Sequence, residues 1–143
     1  MIFCDTSALA KFYVQESESA KVRRIILEDE DVSASELARV ELMAVFHRRL
    51  REGKWIREVF HEVVQQFLQD DLGGYWKWHP LDPATLEAAS RAYQILPDSV
   101  FLRATDCIHL ATAVRHNHPS VLTFDAQQMA AARAFGLVVD GNP

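Results

Sequence analysis

The chain has 143 residues, which suits one domain and leaves little room for two. Its apolar share of 49% and charged share of 24% are those of a globular protein, and no apolar run approaches the ~20 residues of a membrane span. The net charge of −5 offers no basic field of the kind that advertises nucleic-acid binding, although acids gathered around a metal ion would be offset locally by that ion.

The chain opens on Met1-Ile2-Phe3-Cys4, an apolar run that fits an interior strand of a parallel sheet. No basic segment precedes it, so it is expected to belong to the fold and not to a signal peptide. Asp5 stands where the strand stops, at the edge where open α/β sheets bind ligands. It either caps the following helix or faces a ligand, and the local sequence leaves both open. A short helix is expected over residues 7–14 and a second over 16–27. The acidic run 28–31 reads as a solvated loop.

A second strand is expected over 31–34, followed by a capping box, Ser33 with Glu36, or by Ser35 as an alternative cap. The helix it opens, 36–52, carries an apolar stripe of Leu37, Val40, Ala44 and Val45, with Glu41 at its border. A carboxylate there needs water, a partner or a metal. A helix over 55–70 forms a hairpin with it, carrying Ile56, Val59, Phe60, Val63, Val64, Phe67 and Leu68. Residues 75–79 alternate as a third strand. Asp82-Pro83 starts a helix that ends before Pro97. After a loop, a helix over 103–116 carries Asp106 in its first turn, where a carboxylate suits the helix dipole. A fourth strand, 120–124, ends at Asp125; a helix follows over 126–135, Gly136 is its left-handed stop, and 137–139 is a fifth strand. Strands alternating with helices imply a parallel sheet with helices on both faces, within one domain over 1–143. Cys4 and Cys107 lie in apolar contexts, which predicts reduced core thiols and a cytoplasmic protein.

Two strands thus end in an Asp, and Asp5, Glu41, Asp106 and Asp125 all border apolar elements. Two carboxylates about 4 Å apart repel by roughly 4 kcal/mol at an effective dielectric of about 20, so acids do not gather without a cation. Carboxylates suit Mg²⁺ or Mn²⁺, and no His/Cys spacing suggests zinc. Such an ion activates water and stabilises an in-line phosphoryl displacement. The hydroxyls of Thr6, Ser7 and Thr123 are placed to orient the acids. The basic stretch 48–57 reads as a solvated hairpin tip or as a phosphate contact, with Arg48 on nearly the same face as Glu41; Lys11 and Arg103 are similar candidates for substrate or partner contacts. Asp98 is a possible accessory ligand, His109 reads as a packed or hydrogen-bonded core histidine, and Trp76 and Trp78 read as core or interface aromatics.

These residues carry a resemblance. Asp5-Thr6-Ser7-Ala8-Leu9, the stretch from Ser35 to Glu41, the stretch from Arg103 to Ala113, and Leu122-Thr123-Phe124-Asp125 together resemble the PIN-domain family, and within it the VapC-like toxins of type II toxin–antitoxin pairs. The resemblance implies a three-layer α/β/α fold with a five-stranded parallel sheet in the order 3-2-1-4-5. It also implies a metal-dependent endoribonuclease in which Asp5, Glu41, Asp106 and Asp125 bind Mg²⁺ or Mn²⁺ and single-stranded regions of RNA are cleaved. Ser7 takes the family's hydroxyl role near the first acid. A homodimer follows from the resemblance too, as does a small VapB-like antitoxin whose C-terminal segment lies over the site. All four acidic positions are intact, which weighs against a non-catalytic binding or scaffold module of the same fold. A phosphohydrolase of the haloacid-dehalogenase type would use a second Asp two residues after Asp5, where Ser7 stands.

Overall fold

A computed structural model describes residues 1–141. The elements run β1 (Ile2–Phe3), α1 (Thr6–Tyr13), α2 (Ser19–Leu27), β2 (Val32–Ser35), α3 (Leu37–Arg51), α4 (Arg57–Leu72), β3 (Lys77–His79), α5 (Pro83–Ile95), α6 (Ala104–Arg115), β4 (Ser120–Leu122), α7 (Ala126–Ala134) and β5 (Val138–Asp140). All strand pairs are parallel. β3, β2 and β1 form one ladder and β4 and β5 another. The two meet at a single bridge, Cys4 with Leu122, so the expected order 3-2-1-4-5 is continuous only through that bridge.

Side-chain alternation along the strands divides the core. Ile2, Cys4, Val32, Ala34 and Leu122 face one side and pack against α1, α2, α3 and α4. Phe3 and Val121 face the other and pack against α5, α6 and α7. Both faces of the sheet are therefore covered, as parallel strands require, and the three layers are those expected. Both cysteines are free and buried. No described helix is long and apolar enough to cross a membrane.

Local signals held where they act within a few residues. Asp82 caps α5 through Thr85 N at 2.8 Å with Pro83 in the first turn, and Gly136 adopts φ +74 after α7. Elsewhere packing decided. Ser33 lies in β2 and forms no capping box with Glu36; Ser35 Oγ accepts from Leu37 N at 3.3 Å instead. Glu36 is left with a long contact from Leu81 N at 3.5 Å. The expected stripe on α3 is rotated. Ala38, Leu42 and Phe46 are the buried residues, while Val40 is 71% exposed. On α4 only Phe67 is buried; Leu68 is exposed, as is Ile56 just before the helix. Trp76 is buried and Trp78 packs on the same core, its Nε1 donating to Asp71 at 2.6 Å.

A histidine cluster borders Phe3. The Nε2 atoms of His79 and His118 are 2.8 Å apart, and the His79 ring stacks on His116 with centroids 3.9 Å apart. Burial first, then the neighbouring histidines, lowers His79 from its ordinary 6.5 to about 4, and burial lowers His118 as well. An unfolded chain takes up a proton on His79 below 6.5 while the folded protein resists until near 4, so stability falls as pH falls through that window. The melting temperature is expected to drop by a few degrees between about pH 7 and about pH 5, and His79→Gln is expected to flatten that drop; a wild-type melt independent of pH over this range would refute it.

Candidate active site

At the carboxyl edge of the sheet a cleft of about 500 Å³ is lined by Asp5, Thr6, Ser7, Lys11, Glu41, Arg48, Arg103, Asp106 and Asp125, among others. Four elements or their starts supply the acids: the end of β1, α3, α6 and the start of α7. Asp5 and Asp125 come together because β1 and β4 are neighbours and both end at the same edge, Asp5 N donating to Leu122 O at 3.2 Å.

Asp5 is fully buried. Its Oδ1 accepts from Ala8 N at 2.9 Å and from Ser7 Oγ at 2.7 Å, and its Oδ2 accepts from Thr123 Oγ1 at 2.5 Å. It is therefore the N-cap of α1 and a cleft residue at once. Burial pushes its carboxyl up, against the pull of these donors. Ser7 Oγ also accepts from Phe124 N at 2.9 Å, which ties the segment after β4 to the first acid. Asp125 repeats the pattern as cap of α7, its Oδ1 accepting from Gln127 N and Gln128 N at 2.9 Å each.

Asp106 is 6% exposed in the first turn of α6. Arg103 Nε donates to its Oδ2 at 2.8 Å, and Arg103 Nη2 reaches Asp125 Oδ2 at 3.4 Å. One guanidinium thus lies across the two acids. Glu41 is held by Thr6 Oγ1 at 2.8 Å and His109 Nε2 at 2.5 Å, both on Oε1. Burial alone would push its carboxyl up; the His109 and Thr6 hydrogen bonds and the Arg103 charge outweigh it, and the group lies below its ordinary value.

Lys11 and Arg48 line the cleft, Lys11 with its ammonium 5.4 Å from the centre of the Phe124 ring. Asp98 is exposed and lies outside the cleft lining. Sequence reasoning missed Gln128, which is buried and donates from Nε2 to Asp106 Oδ1 at 3.2 Å. Its signal was its place one turn after Asp125, on the face that α7 turns to the cleft.

Among the described residues, no group of three or more His, Cys, Asp or Glu side chains is arranged to hold a metal ion as it stands. The donor set nevertheless suits a hard ion in kind. The acids offer carboxylate oxygens, the hydroxyls beside them are already engaged in orienting those oxygens, and the one lining imidazole is turned to Glu41. The Arg103 bridge is itself a sign that Asp106 and Asp125 together call for positive charge.

The architecture and cleft define a known class. A family model for the PIN domain matches residues 2–134, and the chain belongs to the PIN-domain family. It is 31% identical over 144 residues to Ribonuclease VapC47 of Mycobacterium tuberculosis (strain CDC 1551 / Oshkosh), covering 96% of this chain and 94% of that protein. Solved structures share the fold at lower identity. The Mycobacterium tuberculosis toxin VapC20, described as cleaving the sarcin-ricin loop, superposes with a TM-score of 0.73 at 17% identity, covering 96% of this chain and 97% of that one. FitAcB from Neisseria gonorrhoeae gives 0.73 at 18% identity, covering 97% and 96%, and a toxin–antitoxin complex from Klebsiella pneumoniae gives 0.67 at 16%, covering 96% of each chain.

Proposed function

We propose that this chain is a metal-dependent endoribonuclease, the toxin of a toxin–antitoxin pair, that hydrolyses RNA phosphodiester bonds in the cleft lined by Asp5, Glu41, Asp106 and Asp125. The observation that carries the reading is the convergence of four carboxylates from separate elements on one cleft, in a chain whose relative VapC47 is a ribonuclease. The toxin role is supported by the toxin–antitoxin complex among the structural relatives, and the partner is then an antitoxin chain.

In this mechanism Asp5, Asp106, Asp125 and Glu41 hold Mg²⁺ or Mn²⁺, which when bound supplies an activated water and charge stabilisation for the displacement at phosphorus. The chain's own groups do the rest. Ser7, Thr123 and the Ala8 amide keep Asp5 from rotating, and Thr6 donates to Glu41. Lys11 and Arg48, on the cleft wall, attract the phosphate backbone or an antitoxin carboxylate. Arg103 neutralises Asp106 and Asp125, and its guanidinium would be available to an anionic ligand if a cation were held by those two acids.

Mn²⁺ titration of the purified protein tests the reading. Saturable binding is expected, weakened by at least about tenfold in Asp106→Asn, since a carboxylate that the ion requires is lost. A non-catalytic scaffold would show no saturable binding, or binding indifferent to Asp106.

A further inference from the structure

His109 lies one turn after Asp106 on α6 and has no exposed surface. Its neighbours Cys107, Leu110, Ala111 and Ala113 belong to the apolar core. An imidazole in such a place is costly unless its polar atoms are used. Nδ1 is buried and has no partner among the described residues. Nε2 is the working atom, 2.5 Å from Glu41 Oε1 and 3.2 Å from Thr6 Oγ1.

The geometry around Glu41 is asymmetric. Thr6 on α1 and His109 on α6 converge on Oε1 of a carboxylate carried by α3. Among the described residues no hydrogen bond reaches Oε2, which leaves that oxygen for the cleft that Glu41 lines. A glutamate side chain otherwise gives up considerable rotamer freedom when it is held in one pose. A buried, rigid donor anchored in the opposite helix removes that freedom in advance. The same helix turn therefore supplies one acid, Asp106, and the anchor of another, Glu41.

We infer that His109 is a positioning residue: it fixes Glu41 in the rotamer that leaves Oε2 to the cleft, and so sets the fourth carboxylate before any cation or phosphate arrives. The link to metal binding rests on the function proposed above; the link to Glu41 does not.

Mn²⁺ affinity is measured by calorimetry in wild type, His109→Leu and His109→Gln, each checked for folding by circular dichroism. His109→Leu is expected to weaken Mn²⁺ binding by about 10–100-fold, the usual cost of losing a group that orients a ligand. His109→Gln, whose amide N–H stands near the place of Nε2, is expected to recover most of that loss. In a Glu41→Ala background, His109→Leu should add less than about a twofold further loss, because the coupled partner is already gone. A merely structural histidine would weaken binding equally in both backgrounds and would gain nothing from glutamine. Either result, or wild-type affinity in His109→Leu, overturns the inference.

A second readout needs no metal. The proton on His109 Nε2 is expected to give a slowly exchanging, downfield nuclear magnetic resonance signal in the metal-free protein, lost in Glu41→Ala. If wild type binds no Mn²⁺ the proposed function fails, and this signal alone decides the role of His109. Its absence from wild type, or its persistence unchanged in Glu41→Ala, overturns that role.

Discussion

Asp5→Asn protein is expected to cut RNA at less than about one thousandth of the wild-type rate while melting within about 3 °C of wild type. The two halves of that expectation have different causes. Asparagine is as good an N-cap as aspartate, so its carbonyl continues to accept from Ala8 N and Ser7 Oγ. Its amide then faces Thr123, whose hydroxyl rotates from donor to acceptor. Burial already disfavours the charged carboxylate at this position, so ionised Asp5 lowers stability as pH rises above its ordinary range, and a neutral isostere removes that cost. The fold is therefore spared. What is lost is a carboxylate oxygen able to carry negative charge toward a cation at the strand end where the cleft begins. Time courses on RNA with Mg²⁺ or Mn²⁺, paired with thermal melts, decide the matter. A rate within tenfold of wild type, from protein melting normally, removes Asp5 from the mechanism.

Phe46→Ala is expected to cost about 3–5 kcal/mol, a large share of the roughly 5–15 kcal/mol that holds a domain folded. Phe46 is fully buried on the inner face of α3. Its ring meets Tyr13 and Trp55 at 5.9 Å each and Phe67 at 6.3 Å, so one side chain joins α1, α3 and α4. Tyr13 is in turn fixed by Asp70 and Trp76, at 2.6 Å and 2.8 Å, which leaves the surroundings little room to collapse into the cavity. Because Glu41 rides on the same helix, its approach to His109 depends on this packing. Urea unfolding followed by fluorescence gives the loss directly. Val40→Ala, at a position 71% exposed, serves as the comparison and should stay within about 0.5 kcal/mol. A loss below about 1 kcal/mol for Phe46→Ala would mean that the aromatic cluster is not the keystone of this face.

These two residues also mark how far the sequence could be read. Asp5 was legible because a strand that ends in an acid and opens a helix is written in consecutive residues. Asp125 repeats the sentence at β4, although the strand stops at Leu122 and leaves Thr123 and Phe124 as connecting backbone. Phe46 was not legible. An apolar stripe was assigned to Val40 and Val45, whereas Ala38, Leu42 and Phe46 face inward. Helical period alone gives a set of faces of similar hydropathy, and only the helices and sheet across from α3 choose among them. The capping box failed for a related reason. Ser33 pairs with Phe3 on one side and Lys77 on the other, and the strand runs on to Ser35, so the helical turn that Ser33 would cap does not follow it.

By itself, then, the sequence determined the alternation of strands and helices, the strand-end acids, the local caps at Asp82 and Gly136, and the family to which the chain belongs. These follow from residue types a few positions apart, where backbone sterics and hydrogen bonding act locally. The tertiary structure alone decided which distant groups join the local ones around the acids. Thr123 reaches Asp5 across 118 positions and His109 reaches Glu41 across 68. Arg103 lies between Asp106 and Asp125 only because β4 returns beside β1. Such contacts depend on strand pairing and chain reversal, and no spacing along the chain encodes them.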